Sequence, residues 1–231
     1  SRQPPEWASY RPFWLSCWSG RNMGAVEVNG YKIEPGAYLR GANLAGANLE
    51  EANLEGANLT GANLAGANLA GANLAGANLM VAHLVGSRLR SSNLAWATLE
   101  CANLFAADLD RANLVGANLN DVIMVKTNFF NADLSGALLH RANLRGFADG
   151  SNFNGAQFSR ATLAGFYKGA DFSGANFDDA LLTGSFDRAN LNGANLAGAY
   201  LRSADLSTAK ANGDTIWPEG FDPKAAGVTF E

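Results

Sequence analysis

An apolar residue recurs at every fifth position along most of this chain. Between Ala42 and Leu79 the unit Ala-Asn-Leu-x-x is repeated eight times without interruption, and looser copies run from Ala37 to about Ala209. A five-residue step advances an α-helix by about 500°, which would scatter the leucines around the helix. In a straight strand an odd period would put successive leucines on opposite faces. The pattern therefore predicts a coil that turns a corner once per repeat, with the Ala and the Leu pointing inward.

The spacing of the inward residues predicts the number of sides in each coil. The Leu series keeps its five-residue step from Leu39 to Leu144, with Met124 and Phe129 as variants. Three later intervals, each covering two repeats, are nine residues long instead of ten: Leu144 to Phe153, Leu163 to Phe172 and Leu182 to Leu191. The first residues of these intervals are nineteen positions apart. That spacing of nineteen positions equals three five-residue sides and one four-residue side. We therefore predict four-sided coils, built from four full repeats before residue 144, and about nine coils in all.

This register makes specific predictions about neighbours in adjacent coils. Arg88 should lie over Asp108 and Arg90 over Asp110, which would pair opposite charges between rungs. The shortened sides should stack on one wall, and we interpret large rings as refilling the volume lost with each missing residue. The residues of the shortened sides are Phe147, Phe166 and the pair Ser185 and Phe186; the rings on the following sides are Phe153, Phe158, Phe172 and Phe177.

The repeat resembles a known family. The pattern Ala-(Asn/Asp)-(Leu/Phe)-x-x over residues 37–211 is similar to that of the pentapeptide-repeat proteins, especially cyanobacterial-type members, and so are the flanks 30–36 and 217–223. This resemblance implies an all-β fold, a right-handed quadrilateral parallel β-helix. It also implies two open alternatives for association: a homodimer through the C-terminal end, and binding to DNA gyrase by mimicry of duplex DNA, as in quinolone-resistance members. Family membership alone assigns no activity.

We divide the chain into four segments of a single domain. Residues 1–24 form an aromatic-rich segment, residues 25–36 a capping hairpin around the Asn29-Gly30 turn, residues 37–211 the β-helix, and residues 212–231 a C-terminal cap. In the last segment Trp217, Phe221 and Phe230 are expected to seal the final coil.

The N-terminal segment is the first candidate contact site. It concentrates aromatic residues of the kinds that anchor protein interfaces, namely Trp7, Tyr10, Phe13, Trp14 and Trp18. Three interpretations are open: a cap over the exposed end of the first coil, a docking segment for a protein partner, or an anchor at a membrane interface. We expect the hairpin to cap the coil and the aromatic segment to reach outward.

A second candidate contact site begins where the outward positions become varied. Val85, Phe105 and Val125 each follow an inward residue and are separated by four repeats, so they should form one vertical apolar column. Ile123 should lie beside it. A contiguous column of exposed apolar residues is a candidate partner-binding surface, whereas single exposed residues are common.

Charge and composition exclude several classes of function. The formal charge of −4 predicts neither direct nucleic-acid binding nor an acidic tail, and residues 37–211 carry 14 acidic and 12 basic residues. His83, His140, Cys17 and Cys101 have no companions at metal-ligand spacing, so we predict no metal and no cofactor. We find neither a membrane span nor a signal-peptide layout and expect a cytoplasmic protein, with thylakoid association or export after processing as alternatives.

The sequence therefore predicts a scaffold rather than an enzyme. We find no nucleophile with a neighbouring base, no phosphate loop and no room for a substrate in a narrow filled core. The first hypothesis is a rigid module that binds a protein partner of unknown identity. The alternative is a gyrase-binding mimic of DNA, which should present a strongly negative face.

Overall fold

The computed structural model describes residues 26–230. It begins with a two-stranded antiparallel hairpin, β1 (Val26–Val28) and β2 (Tyr31–Ile33). Asn29 and Gly30 connect the strands with φ values of 52° and 78°, the left-handed geometry of a type I′ turn. Ile33 is buried at the start of the core, so the hairpin leads directly into the first coil.

The repeats form a four-sided parallel β-helix, as predicted. We name its walls A, B, C and D by the central outward residue of each wall in the first coil: Tyr38, Asn43, Asn48 and Asn53. Along wall A nine successive parallel bridges link Tyr38 to Ile216, one for each step between coils. Each step spans four full repeats as far as Leu138, and the next three steps, from Leu138 to Asn195, are each one residue shorter.

Each repeat uses its backbone in the same way. Leu49 N donates to Asn68 O at 2.7 Å in the coil above, and Asn68 N donates to Ala47 O at 2.9 Å in the coil below. Ala52 N closes the corner on Leu49 O at 3.0 Å. Outward Asn side chains are hydrogen-bonded along their columns, as Asn93 Nδ2 is to Asn73 Oδ1 at 3.1 Å. The repeat therefore pairs backbone groups that an isolated coil would leave open.

The shortened sides all lie on wall C, next to its corner with wall B. There the chain forms a five-stranded parallel sheet of β3 (Ile123–Asn128), β4 (Asn143–Phe147), β5 (Thr162–Phe166), β6 (Leu181–Ser185) and β7 (Tyr200–Asp205). Phe147 pairs with Phe166, and Phe166 with Ser185. A Cβ atom on Gly165 would lie 2.2 Å from Gly146 O, so only glycine fits where the coil has lost a residue.

The core is a column of alanines and leucines that widens into aromatic rings in the later coils. Phe153 stacks on Phe172 with centroids 4.9 Å apart, and Phe158 stacks on Phe177 at 5.0 Å. Tyr167 and Phe186 fill the inward position of the shortened sides and stack at 5.0 Å. These rings are fully buried, as expected for groups that refill lost volume.

Phe147 and Phe166 contradict that interpretation, because they point outward. Their exposed fractions are 45% and 55%, and they stack on each other with centroids 5.8 Å apart. Side chains alternate between the two faces of a strand. The inward positions next to them are taken by Ala148 and Tyr167, so the rings of residues 147 and 166 face solvent.

The C-terminal end contains one short parallel pair, β8 (Lys210–Ala211) and β9 (Thr229–Phe230). Trp217 and Phe221 stack at 5.3 Å and pack against the core. Phe230 pairs with Ala211 between β8 and β9, lies on the last described rung and is 46% exposed. Among residues 26–230 no helix has the length and apolar content that a bilayer crossing requires.

Candidate interaction surface

The predicted column of Val85, Phe105 and Val125 lies on wall B, with Ile123 beside it. Gly86 N donates to Phe105 O, and Ala106 N donates to Val125 O, both at 2.9 Å, so Val85, Phe105 and Val125 occupy successive coils. Ile123 is in the adjacent outward column and is bridged to Asn103. Val85 and Ile123 are 37% and 42% exposed, whereas Phe105 and Val125 are half-buried. We call these four residues the apolar strip.

Two cations border the apolar strip. Lys126 Nζ lies 5.5 Å from the centroid of the Phe105 ring, within the range of a cation–π contact. Arg145 pairs with Val125 in the register between β3 and β4, so it continues the same column one coil higher. The strip is therefore apolar along its length and positive at its upper end.

Wall B differs from the other three walls in its charge. Its nine segments contain no Asp or Glu: they are 42–46, 62–66, 82–86, 102–106, 122–126, 142–146, 161–165, 180–184 and 199–204. Each of the other walls carries at least three carboxylates. Basic residues of wall B, including Lys126, Arg145 and Arg202, are thus without carboxylates on their own wall.

Several carboxylates on the other walls are neutralised by neighbouring cations. Arg141 donates two hydrogen bonds to Asp121, at 2.7 Å from Nε and 2.6 Å from a terminal nitrogen. These hydrogen bonds lower the pKa of Asp121 below its usual range. Further ion pairs join Arg160 to Asp179 at 3.6 Å and Lys168 to Asp187 at 3.7 Å. The acidic residues therefore do not form one continuous unpaired face.

The predicted Arg–Asp stacking is confirmed for both pairs, but Asp108 forms its ion pair with a different arginine from the one stacked on it. Arg88 and Asp108 are bridged in neighbouring coils, as the four-repeat register requires. The ion pairs, however, both come from Arg90, which reaches Asp108 at 3.0 Å and Asp110 at 3.3 Å. A guanidinium has five N–H donors and can bind two carboxylates at once, so vertical stacking alone did not identify the ion-pair partner of Asp108.

Trp96 is an exposed side chain that the sequence reasoning missed. The hydrogen-bond ladder of the corner between walls D and A places it in a column otherwise made of glycines: Gly36, Gly56, Gly76, Gly116, Gly136, Gly155, Gly174 and Gly193. The indole is 71% exposed and lies across Gly116, where an added Cβ would be 2.3 Å from Cζ3. The sequence did contain a signal for this residue, because a Trp stands where most repeats have Gly.

Other candidate residues form no site in the described part of the chain. Trp7, Tyr10, Phe13, Trp14 and Trp18 lie outside residues 26–230. The side chains of Glu100, Cys101 and Asp121 place possible metal-ligand atoms within 4.8 Å of one another. Both Asp121 oxygens are already bound by Arg141, so this group does not constitute a cation site.

The sequence profile described as Pentapeptide repeats matches eight copies, within residues 36–69, 57–95, 87–124, 107–146 and 185–213. These ranges cover more than half of the chain. The chain belongs to the pentapeptide repeat family. Comparison with curated proteins gives no match.

Solved pentapeptide repeat proteins are similar to this member of the family. HetL, from the cyanobacterium Nostoc sp. strain PCC 7120 and involved in heterocyst differentiation regulation, is 29% identical, with 75% of this chain and 90% of HetL covered and a TM-score of 0.47. QnrB1, a plasmid-mediated fluoroquinolone resistance protein, is 19% identical, with coverages of 82% and 85% and a TM-score of 0.49. With both TM-scores below 0.5, membership rests on the repeat profile and not on superposition.

Proposed function

We propose that this pentapeptide repeat protein is a non-enzymatic interaction module that binds a protein partner through wall B. The observation that carries this proposal is the coincidence of the apolar strip with the one wall that has no carboxylate. A rigid β-helix holds such a strip in a fixed geometry, which lowers the conformational entropy lost on binding.

The chemistry of wall B favours one kind of partner. Phe105, Val85 and Ile123 offer apolar contact area, and an aromatic ring at the centre of such a strip is a suitable anchor. Lys126 and Arg145 add positive charge at its upper end. We therefore infer a partner surface with an apolar ridge flanked by Asp or Glu, because complementary charge promotes encounter and fixes orientation.

The ion pairs on the other walls support this proposal over mimicry of DNA. A mimic needs a row of unpaired negative charges. Here Asp108, Asp110, Asp121, Asp179 and Asp187 are each bound by Arg or Lys. We expect DNA supercoiling by gyrase to proceed at the same rate with and without the protein; slowed supercoiling would restore the alternative.

The proposal is tested by affinity capture from the source organism with matched variants. The test variant carries Phe105→Ser and Val125→Ser on wall B. The control carries Val115→Ser, which changes the equivalent outward position of wall D. We expect the wild-type and control proteins to retain the same partner, and the wall B variant to lose nearly all of it while melting within a few degrees of the control. Equal retention by all three proteins would refute the proposal.

A further inference from the structure

Within residues 26–230, the hairpin is hydrogen-bonded to the open end of the first coil on only one wall. On wall B, Asn43 N donates to the Tyr31 hydroxyl at 3.3 Å, and Asn43 O accepts from Asn29 Nδ2 at 3.4 Å. On wall C, the backbone N–H and C=O of Asn48 have no hydrogen-bond partner within residues 26–230. Wall C therefore begins with an open strand edge, which proteins generally cover.

A groove lies beside this edge. It has a volume of about 710 Å³ and runs between the hairpin and the first rung of wall C. Its apolar lining comes from Val26, Val28 and Ile33 on the hairpin, and from Ala47 and Leu49 on the coil. Sites of about 300–1,000 Å³ accommodate a ligand or several side chains.

The rim of the groove is acidic. Glu27, Glu50 and Glu51 line it, are exposed, and make no ion pair within residues 26–230. Three carboxylates around one groove repel one another, and a cationic occupant would relieve that repulsion. The groove thus combines apolar walls, an open backbone edge and negative charge.

The chain itself supplies a segment with the matching properties. Val26 lines the groove, and residues 1–25 precede it in the sequence. These residues contain Arg2, Arg11 and Arg21 against one acidic residue, Glu6, together with the five aromatic residues of the segment. An extended chain spans up to about 3.5 Å per residue, so Arg21 lies within about 18 Å of Val26 and can reach the rim.

We propose that residues 7–21 fold back into this groove, with Trp and Tyr side chains against its apolar walls and Arg side chains at the acidic rim. This assigns the aromatic segment to the chain's own first coil and not to a partner. It goes beyond the proposed function, because wall B can bind a partner whether or not the groove is filled.

Limited trypsin digestion of the full-length protein tests the proposal at the Arg21–Asn22 bond. The test variant carries Glu27→Gln, Glu50→Gln and Glu51→Gln; the control carries Asp178→Asn, Asp214→Asn and Glu219→Gln, three exposed acids far along the chain. These changes remove equal charge and create no trypsin site. We expect the bond to be cut at least fivefold faster in the test variant than in the wild type or the control, and high salt to accelerate wild-type cleavage.

A second variant checks the aromatic contribution. Trp14→Ser with Trp18→Ser should also speed cleavage at least fivefold, since the rings would no longer hold the segment. The proposal is overturned if the wild type and all variants are cut at the same rate at every salt concentration. It is equally overturned if wild-type protection disappears on dilution together with a dimeric mass, because the occupant would then be the segment of a second copy.

Discussion

The buried hydroxyl of Tyr167 donates a 3.0 Å hydrogen bond to the carbonyl oxygen of Leu144 in the neighbouring coil. This bond lies at the shortened corner of the β-helix, where Tyr167 also takes the inward position of the repeat. The Tyr167 side chain therefore fills core volume and also binds a carbonyl oxygen next to the shortened side.

This arrangement predicts a loss of stability in alkali. Burial raises the pKa of Tyr167 far above its usual value. In the unfolded chain the phenol ionises near pH 10, whereas in the folded protein it stays neutral. The free energy of unfolding should therefore fall by about 1.4 kcal/mol per pH unit above about pH 10. Chemical unfolding at pH 8 and pH 11 measures this change.

Tyr167→Phe separates the two roles of the ring. At pH 8 it should lower the free energy of unfolding by about 1–2 kcal/mol, because the Leu144 carbonyl loses a donor. Between pH 10 and 11 the variant should lose less stability than the wild type. The exposed Tyr200, changed to Phe, is the control. Equal alkaline losses in the wild type and in Tyr167→Phe would contradict the account.

At the shortened sides, Gly146, Gly165 and Gly184 are stacked in close contact, so adding one methyl group there should lower the free energy of unfolding strongly. In Gly165→Ala the new Cβ would meet Gly146 O at 2.2 Å. Gly155→Ala has the same chemistry at a corner with φ near +67° and no atom within 4 Å. We expect the control to cost about 1 kcal/mol from backbone strain, and Gly165→Ala to cost about 3 kcal/mol more from overlap. Similar melting temperatures for the two variants would show that this corner can relax.

Trp96 predicts a stabilising substitution. Its φ of 60° costs an ordinary residue about 1–2 kcal/mol, while glycine loses about 0.5–1 kcal/mol of backbone entropy. Trp96→Gly restores the residue found elsewhere in its column and should raise the free energy of unfolding by about 0.5–1 kcal/mol. Thermal unfolding of both proteins measures it. A lower melting temperature would mean that the contact of the indole with Gly116 outweighs the strain.

The architecture could be predicted because one physical constraint is repeated many times. Each inward Leu fixes its own repeat, and the regular recurrence of the shortened side fixes the number of sides. The same register places Val85, Phe105 and Val125 in one column, since that placement depends only on counting residues. Prediction of the four-sided coil therefore required no knowledge of individual contacts.

Features that depend on local side-chain geometry could not be predicted in this way. The outward orientation of Phe147 follows from which residue is missing at the corner, and counting does not reveal that. The choice of Arg90 over Arg88 depends on side-chain reach across two rungs. The groove beside the hairpin depends on how Tyr31 and Asn29 attach it to wall B, and the sequence contains no periodic signal for that contact.

The claim that wall B is the docking face is tested most directly by comparing the four walls of a single coil. Glu100, Phe105, Asp110 and Val115 occupy the equivalent outward position on walls A, B, C and D. A photo-crosslinking amino acid at each position in turn, with irradiation in cells of the source organism, measures which wall contacts a partner. We predict a crosslinked protein from position 105 and background yields from positions 100, 110 and 115. A specific crosslink from another wall, with none from position 105, would contradict the account.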